Sequence, residues 1–219
     1  MKRTKAIFLD IDGVLNSQIY FESEYYEHRR KWAEEIFGEE SDKMASLIDD
    51  RKFPMLKKIN DKVPNIRWVM SSSWKAFYFK RKGLLHDACC KWMKEEFKKC
   101  GIIFQDKIRN VYSQEYIDTD PRNHIVDGKR LWYEEDTKEF KEKQKVFNDY
   151  WFDKFHGRGY AINDWLERHK EITDFVVIDD DDEDLHNFGN RFVQTSYYKV
   201  NGLQWEDVDK VINILKAND

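Results

Sequence analysis

Residues 7–16 read IFLDIDGVLN. An apolar run from Ala6 to Leu9 leads into two aspartates, Asp10 and Asp12, and then into Gly13. Two ionised carboxylates buried inside a strand would cost several kcal/mol or more without partners, so the strand must end at Asp10 and present both acids at its tip. Gly13, which has no Cβ, then lets the chain turn away at once. The same arrangement recurs along the chain. Ile66 to Met70 ends in SSSW (71–74), and Phe175 to Ile178 ends in DDDDED (179–184). Ile102 to Phe104 and RFVQTS (191–196) are two further strand candidates.

Between these runs lie apolar residues at helical spacing: Phe53, Leu56, Ile59 and Val63; Ile162, Trp165, Leu166 and His169; Val208, Val211, Ile212 and Leu215. Near-continuous apolar strands alternating with amphipathic helices predict a mainly parallel sheet covered on both faces, a Rossmann-like three-layer α/β sandwich. Ligands of such sheets bind beyond the carboxyl ends of the strands. Three strands that end in Asp, Ser and Asp clusters therefore direct those groups to one edge.

With 219 residues, the chain has room for one domain with insertions, and residues 1–219 are expected to form a single unit. A net charge of −4 gives no broad basic surface for nucleic acid. Cys89, Cys90 and Cys100 make a poor disulfide framework, and the apolar run after MKRTK is too short for a signal peptide. A cytoplasmic protein with no membrane association and no obligate protein partner is expected.

DIDGVLN, VMSSSW and VVIDDDDED, in that order at strand ends, resemble the motifs of the haloacid dehalogenase-like (HAD) phosphohydrolases. SSSW followed by HGRGYAINDWL, VVIDDD and NGLQWED is similar, more narrowly, to the HAD domain of Swiss Army Knife RNA repair proteins. The resemblance covers residues 5–75 and 156–216. It implies a phosphate-binding hydroxyl at Ser71, with Ser72 as the alternative register, and a cation at Arg158, with Lys154 and Lys75 as rivals.

The residue types carry a chemistry of their own. A phosphate monoester repels an attacking water, and a carboxylate nucleophile that becomes an aspartyl-phosphate divides the reaction into two easier steps. Asp10 suits that role. Asp12 suits the general acid that protonates the leaving oxygen and the general base that then activates water. Carboxylates facing a dianion need a hard cation such as Mg²⁺, held by Asp10, the backbone carbonyl of Asp12, and Asp179 or Asp180, with Gly13 completing the phosphate loop. Asp184 is a candidate for a supporting position, and Asp181, Asp182 and Glu183 for the start of a loop.

The function expected is a Mg²⁺-dependent phosphomonoester hydrolase, and the resemblance implies a nucleotide or a polynucleotide end phosphate as its substrate. The alternatives are a phosphotransferase or small-metabolite phosphatase of the same fold, a metal-dependent nuclease, and a non-catalytic module that binds nucleic acid or protein. Two insertions stand out, 17–51 and 114–155, and the resemblance implies that they are caps over the site. The second carries nine aromatics, among them Trp132, Tyr133, Tyr150 and Trp151, with 11 acidic and 8 basic residues, so it is no polyanion-binding arm. Its rings suit a small helical core or base stacking.

Overall fold

The computed structural model describes residues 4–38, 45–79, 87–108, 157–182 and 184–217, and between 108 and 157 only 125, 126, 129, 130, 138, 141–143, 145 and 146. The elements in chain order are β1 (Thr4–Leu9), α1 (Gln18–Phe21), α2 (Glu24–Phe37), α3 (Phe53–Lys62), β2 (Ile66–Met70), α4 (Lys75–Tyr78), α5 (Asp87–Lys99) and β3 (Phe104–Lys107). A two-residue hairpin, β4 (Ile125–Val126) with β5 (Lys129–Arg130), comes next, then α6 (Arg158–Arg168), β6 (Ile172–Asp179), β7 (Phe192–Gln194) and α7 (Trp205–Lys216).

Five strands form one sheet in the order β3-β2-β1-β6-β7, and every pairing in it is parallel. The chain builds outward through β1, β2 and β3, then returns to the other side of β1 with β6. The switch of direction therefore lies between β1 and β6, where an open α/β sheet leaves a crevice at its carboxyl edge.

Alternation along the strands sends side chains to two cores. Ile7 and Leu9 of β1, Trp68 and Met70 of β2, and Val176 and Ile178 of β6 pack on one face with Leu56 and Ile59 of α3, Phe97 of α5 and Val211 and Leu215 of α7. Ala6 and Phe8, Val69, and Val177 face the other way, onto Ile162 and Trp165 of α6. The Trp165 ring meets Phe8 edge-on at 5.2 Å, and its Nε1 donates to Asp106 Oδ2 at 2.9 Å. These are the three layers that the residue pattern predicts.

One strand differs from expectation. Ile102 and Ile103 belong to the connection that leaves α5, where Gly101 adopts φ +74° and Ile102 N donates to Phe97 O, so β3 begins only at Phe104 and continues through the polar residues Gln105, Asp106 and Lys107. As an edge strand β3 buries few side chains, which is why an apolar run misplaces it. Of the first insertion, residues 17–38 and 45–51 are described, with α1 and α2 capped by Ser17 and Ser23. The second, with Trp132, Tyr133, Tyr150, Trp151 and Lys154, lies outside the described residues except for the short pieces named above.

Candidate active site at the carboxyl edge of the sheet

The register assembles the site. Leu9 pairs with Met70 on one side and Ile178 on the other, so Asp10, Ser71 and Asp179 follow in line across three strand ends. The ladder continues through them: Asp10 N donates to Ile178 O at 3.0 Å, Ser71 N to Leu9 O at 3.0 Å, and Thr195 N to Asp179 O at 2.8 Å. By strand parity, all three side chains belong to the Phe8–Val69–Val177 face, the face covered by α6. Arg158, the first residue of α6, meets them there. Its Nη1 lies 3.4 Å from Asp10 Oδ2 and forms a close ion pair with Asp179 Oδ2.

Asp10, Asp179 and Asp180 each bring a carboxylate oxygen within 4.8 Å of the others. Asp10 and Asp179 are buried, and Asp180 is half-buried. Burial raises the Asp10 carboxyl above its ordinary value, opposed by Arg158 and by hydrogen bonds from Ser72 and the Ile11 N–H. Burial and then the Asp10 charge raise Asp179, and the same two causes push Asp180 up to about 6. Burial works against the charge on Arg158, but Asp10 and Asp179 more than offset it, so its pKa is raised. One guanidinium thus leaves three carboxylates short of positive charge.

The donor set suits a hard cation. All three groups are carboxylates gathered at strand tips, the hard oxygen donors that Mg²⁺ takes, and their raised pKa values, caused first by burial, show that the charged forms lack full compensation. A second unmet demand lies beside them. Ser71 Oγ is buried and has no hydrogen-bond partner among the described residues. A buried hydroxyl costs about 1–3 kcal/mol when unsatisfied, and an acceptor such as a phosphate oxygen would relieve that.

Asp12 stands apart from the triplet. Its carboxylate accepts from Trp74 Nε1 at 3.1 and 3.2 Å and from Asn16 Nδ2 at 2.9 Å, while Asn16 Oδ1 accepts from Gly13 N at 2.9 Å. The side chain is solvent-exposed yet held by two donors. Gly13 is forced: its φ is +67°, and a Cβ there would fall 2.1 Å from Asp180 Cγ. Thr195 Oγ1 donates to Gly13 O at 2.7 Å and fastens this turn to the end of β7.

Residues 71–75 divide their tasks. Ser72 Oγ accepts from Trp74 N at 3.3 Å and bonds Asp10, so Ser72 positions the acid and starts α4, whereas Ser71 keeps its hydroxyl uncommitted. Lys75 is buried, donates to Ser72 O at 3.3 Å, and is lowered to about 8 by burial and then by the Arg158 charge. Arg158 and Lys75 are therefore both within electrostatic reach of Asp10.

Asp184 has a definite position. Its Oδ2 accepts from Gly159 N at 2.8 Å and Tyr160 N at 3.3 Å, taking up free N–H groups at the start of α6. It holds the turn that carries Arg158 and does not join the carboxylate triplet. The roles of Trp74 and Asn16 had only a faint signal in the sequence, the Asp12-to-Asn16 spacing of one helical turn.

No helix among the described residues is long and apolar enough to cross a membrane. No curated protein and no solved structure matches the chain. A family profile, HAD domain in Swiss Army Knife RNA repair proteins, matches residues 77–208. That span holds Arg158, Asp179, Asp180 and Asp184, while Asp10, Asp12 and Ser71 precede it and reach the site through β1 and β2 of the same sheet. With more than half of its length matched, and with the α/β sheet that the HAD fold requires, the chain belongs to the HAD domain family of Swiss Army Knife RNA repair proteins.

Proposed function

We propose that the protein is a Mg²⁺-dependent phosphomonoester hydrolase that works through an aspartyl-phosphate on Asp10, with a nucleotide or a polynucleotide end phosphate as substrate. The observation that carries this reading is the meeting of Asp10, Asp179 and Asp180 within 4.8 Å at the carboxyl edge of the sheet, with the Arg158 guanidinium on Asp10.

Asp10, Asp179 and Asp180, with the backbone carbonyl of Asp12, would hold the cation, whose chemistry is to neutralise charge at the phosphoryl oxygens. Asp10 attacks phosphorus as a carboxylate, and the bond to the leaving oxygen breaks. Asp12, steadied by Trp74 and Asn16, gives that oxygen a proton. In the second half, Asp12 takes a proton from water as its oxygen attacks the phosphorus of the aspartyl-phosphate, and Asp10 is released. Ser71 donates to a non-bridging oxygen, and Arg158 and Lys75 stabilise the charge that builds there. Arg158 must loosen its ion pair with Asp179 as phosphate enters, an exchange of one anion for another. The substrate class rests on the family, whose relatives are described as RNA repair proteins.

The test is inorganic phosphate release, with and without Mg²⁺, from nucleoside monophosphates and from oligonucleotides phosphorylated at either end. Release that requires both the metal and Asp10, and that Asp10→Asn abolishes, is the expected result. Release that is indifferent to Asp10→Asn would overturn the covalent mechanism. Wild-type protein inert on every monoester would overturn the hydrolase reading.

A further inference from the structure

Asn16 stands one helical turn beyond Asp12. Val14 N and Leu15 N both donate to Ile11 O, at 3.2 and 2.8 Å, so the chain after β1 closes a single turn that brings the Asn16 side chain back over Asp12 and Gly13. Asn16 is 1% exposed, and its amide has three partners. Oδ1 accepts from Gly13 N at 2.9 Å, while Nδ2 donates to Asp12 Oδ1 at 2.9 Å and to Leu47 O at 3.0 Å. A reversed amide would set NH₂ against N–H and oxygen against two acceptors, so these partners admit one orientation. Leu47 belongs to the first insertion, and that segment is fastened to the same stretch by Asp49 N on Leu15 O at 2.8 Å and by Tyr20 Oη on Ser46 O at 2.7 Å.

The amide reaches both functions of Asp12. The Asp12–Gly13 peptide is planar and trans, so the Asp12 carbonyl points opposite to the Gly13 N–H. By accepting that N–H, Asn16 sets the direction of the carbonyl, and no described residue donates a hydrogen bond to it. Nδ2 at the same time holds the carboxylate. Trp74 Nε1, by contrast, meets the two carboxylate oxygens and so bears on the side chain. Closing the turn calls at most for the Gly13 bond. It gives no reason to spend a buried amide nitrogen on an exposed carboxylate and on a carbonyl 31 residues away.

We propose that Asn16 is a positioning residue for both halves of the chemistry, an assignment that rests on the proposed reading of Asp12 as a metal ligand through its backbone and a proton-transfer group through its side chain. Asn16 fixes the carbonyl that would hold the cation and steadies the carboxylate that serves the leaving oxygen. Through Leu47 O, the first insertion fixes Asn16 in turn, so residues 45–49 support the catalytic turn itself.

The experiment reads the two roles separately. Mg²⁺ binding is measured by calorimetric titration without substrate, and phosphate release from a nucleoside monophosphate at saturating Mg²⁺, for wild type, Asn16→Ala, Asn16→Asp and Trp74→Phe. Asn16→Ala is expected to weaken Mg²⁺ binding by about 10- to 100-fold, the range for loss of a group that orients a metal ligand, and to lower kcat with KM little changed. Trp74→Phe should lower kcat and leave Mg²⁺ binding unchanged, because it releases the carboxylate but not the peptide. Asn16→Asp keeps an oxygen for Gly13 N and loses both donors, so it should bind Mg²⁺ no more weakly than wild type and still lose kcat. An Asn16→Ala protein that only melts at a lower temperature, with wild-type metal affinity and kcat, overturns the proposal, as does an equal loss of Mg²⁺ affinity in Trp74→Phe. Should Asn16→Ala fail to fold, Asn16→Asp, nearly the same in shape, decides: weaker Mg²⁺ binding or a wild-type kcat overturns the double role. Wild type that binds no Mg²⁺ overturns it together with the proposed function. Wild type that binds Mg²⁺ and releases no phosphate removes the hydrolase alone, and the metal titrations then decide for Asn16.

Discussion

Trp74 Nε1 lies 3.1 Å from one oxygen of Asp12 and 3.2 Å from the other, a donation shared across the carboxylate. Trp74 follows β2 and Asp12 follows β1, so the contact ties the tips of two strands together and limits how far the Asp12 side chain can swing. Replacing Trp74 with Phe keeps most of the buried ring and removes the donor. The expected result is a fall in kcat smaller than the roughly 10²–10⁴-fold that proton transfer itself contributes, with KM little changed, because Trp74 only positions the acid. Steady-state kinetics on a nucleoside monophosphate check it, and a loss confined to KM would mean that Trp74 only shapes the entrance.

Gly13 supports a second prediction, because its conformation and its neighbour act together. Alanine there must adopt φ near +67°, which costs about 1–2 kcal/mol for an L-residue, and its Cβ would also displace the Asp180 carboxylate. Gly38, at φ +82° with no atom of the described residues within 4 Å of its notional Cβ, provides a comparison in which backbone strain acts without a displaced side chain. Gly13→Ala should lower Tm and also weaken Mg²⁺ binding, whereas Gly38→Ala, whose φ of 82° and ψ of 164° are open essentially to glycine alone, should lower Tm and leave metal binding unchanged. Calorimetric titration of the metal separates the two, and equal metal affinity in both variants would mean that Asp180 is not a ligand.

How far this site was legible in the sequence follows from where each residue gets its position. Asp10, Ser71 and Asp179 each directly follow an apolar run, and a parallel sheet brings such ends together, so local pattern plus topology suffices. Arg158 could not be separated from Lys154 and Lys75 in that way, because which cation reaches Asp10 depends on where α6 begins against the sheet. That start is set by Asp184, 26 residues further on, through hydrogen bonds to Gly159 and Tyr160. The helix α2 reads EYYEHRRKWAEEIF, and only Arg29 and Ala33 in it are buried, so its apolar stripe is too narrow for the residue pattern to show a helix there.

Asp184 yields a third prediction. Removing it should cost about 0.5–2 kcal/mol, the range for a lost helix cap, and should release the turn that aims Arg158. Asp184→Ala is expected to raise KM several-fold with a smaller change in kcat, and Asp184→Asn, which keeps an acceptor oxygen, should recover most of the loss. Arg158→Ala should be more severe, about 10²–10³ in kcat/KM, because it removes a donor from the charge that develops in the transition state. If Asp184→Ala matched Arg158→Ala in kcat, Asp184 would have to act at the reacting atoms.

The last prediction concerns metal and pH together. Without a divalent ion, Asp10 and Asp179 are held above the ordinary carboxyl range and Asp180 is pushed to about 6, against 3.8 for a free aspartate. A raised folded pKa means that the native protein binds more protons than the unfolded chain between those limits, so this contribution to stability is complete below about pH 4 and is lost as pH rises through 6 and beyond. Mg²⁺ binds the ionised carboxylates and reverses the penalty, so its affinity and its stabilising effect should grow over the same window. In EDTA, the Tm of wild type relative to Asp180→Asn should fall between pH 5 and pH 8. Saturating Mg²⁺ should lift wild type more at pH 8 than at pH 5 and lift Asp180→Asn much less. A Tm difference in EDTA that is flat or rises with pH would show that these carboxylates are already compensated, and the case for a cation among them would fail.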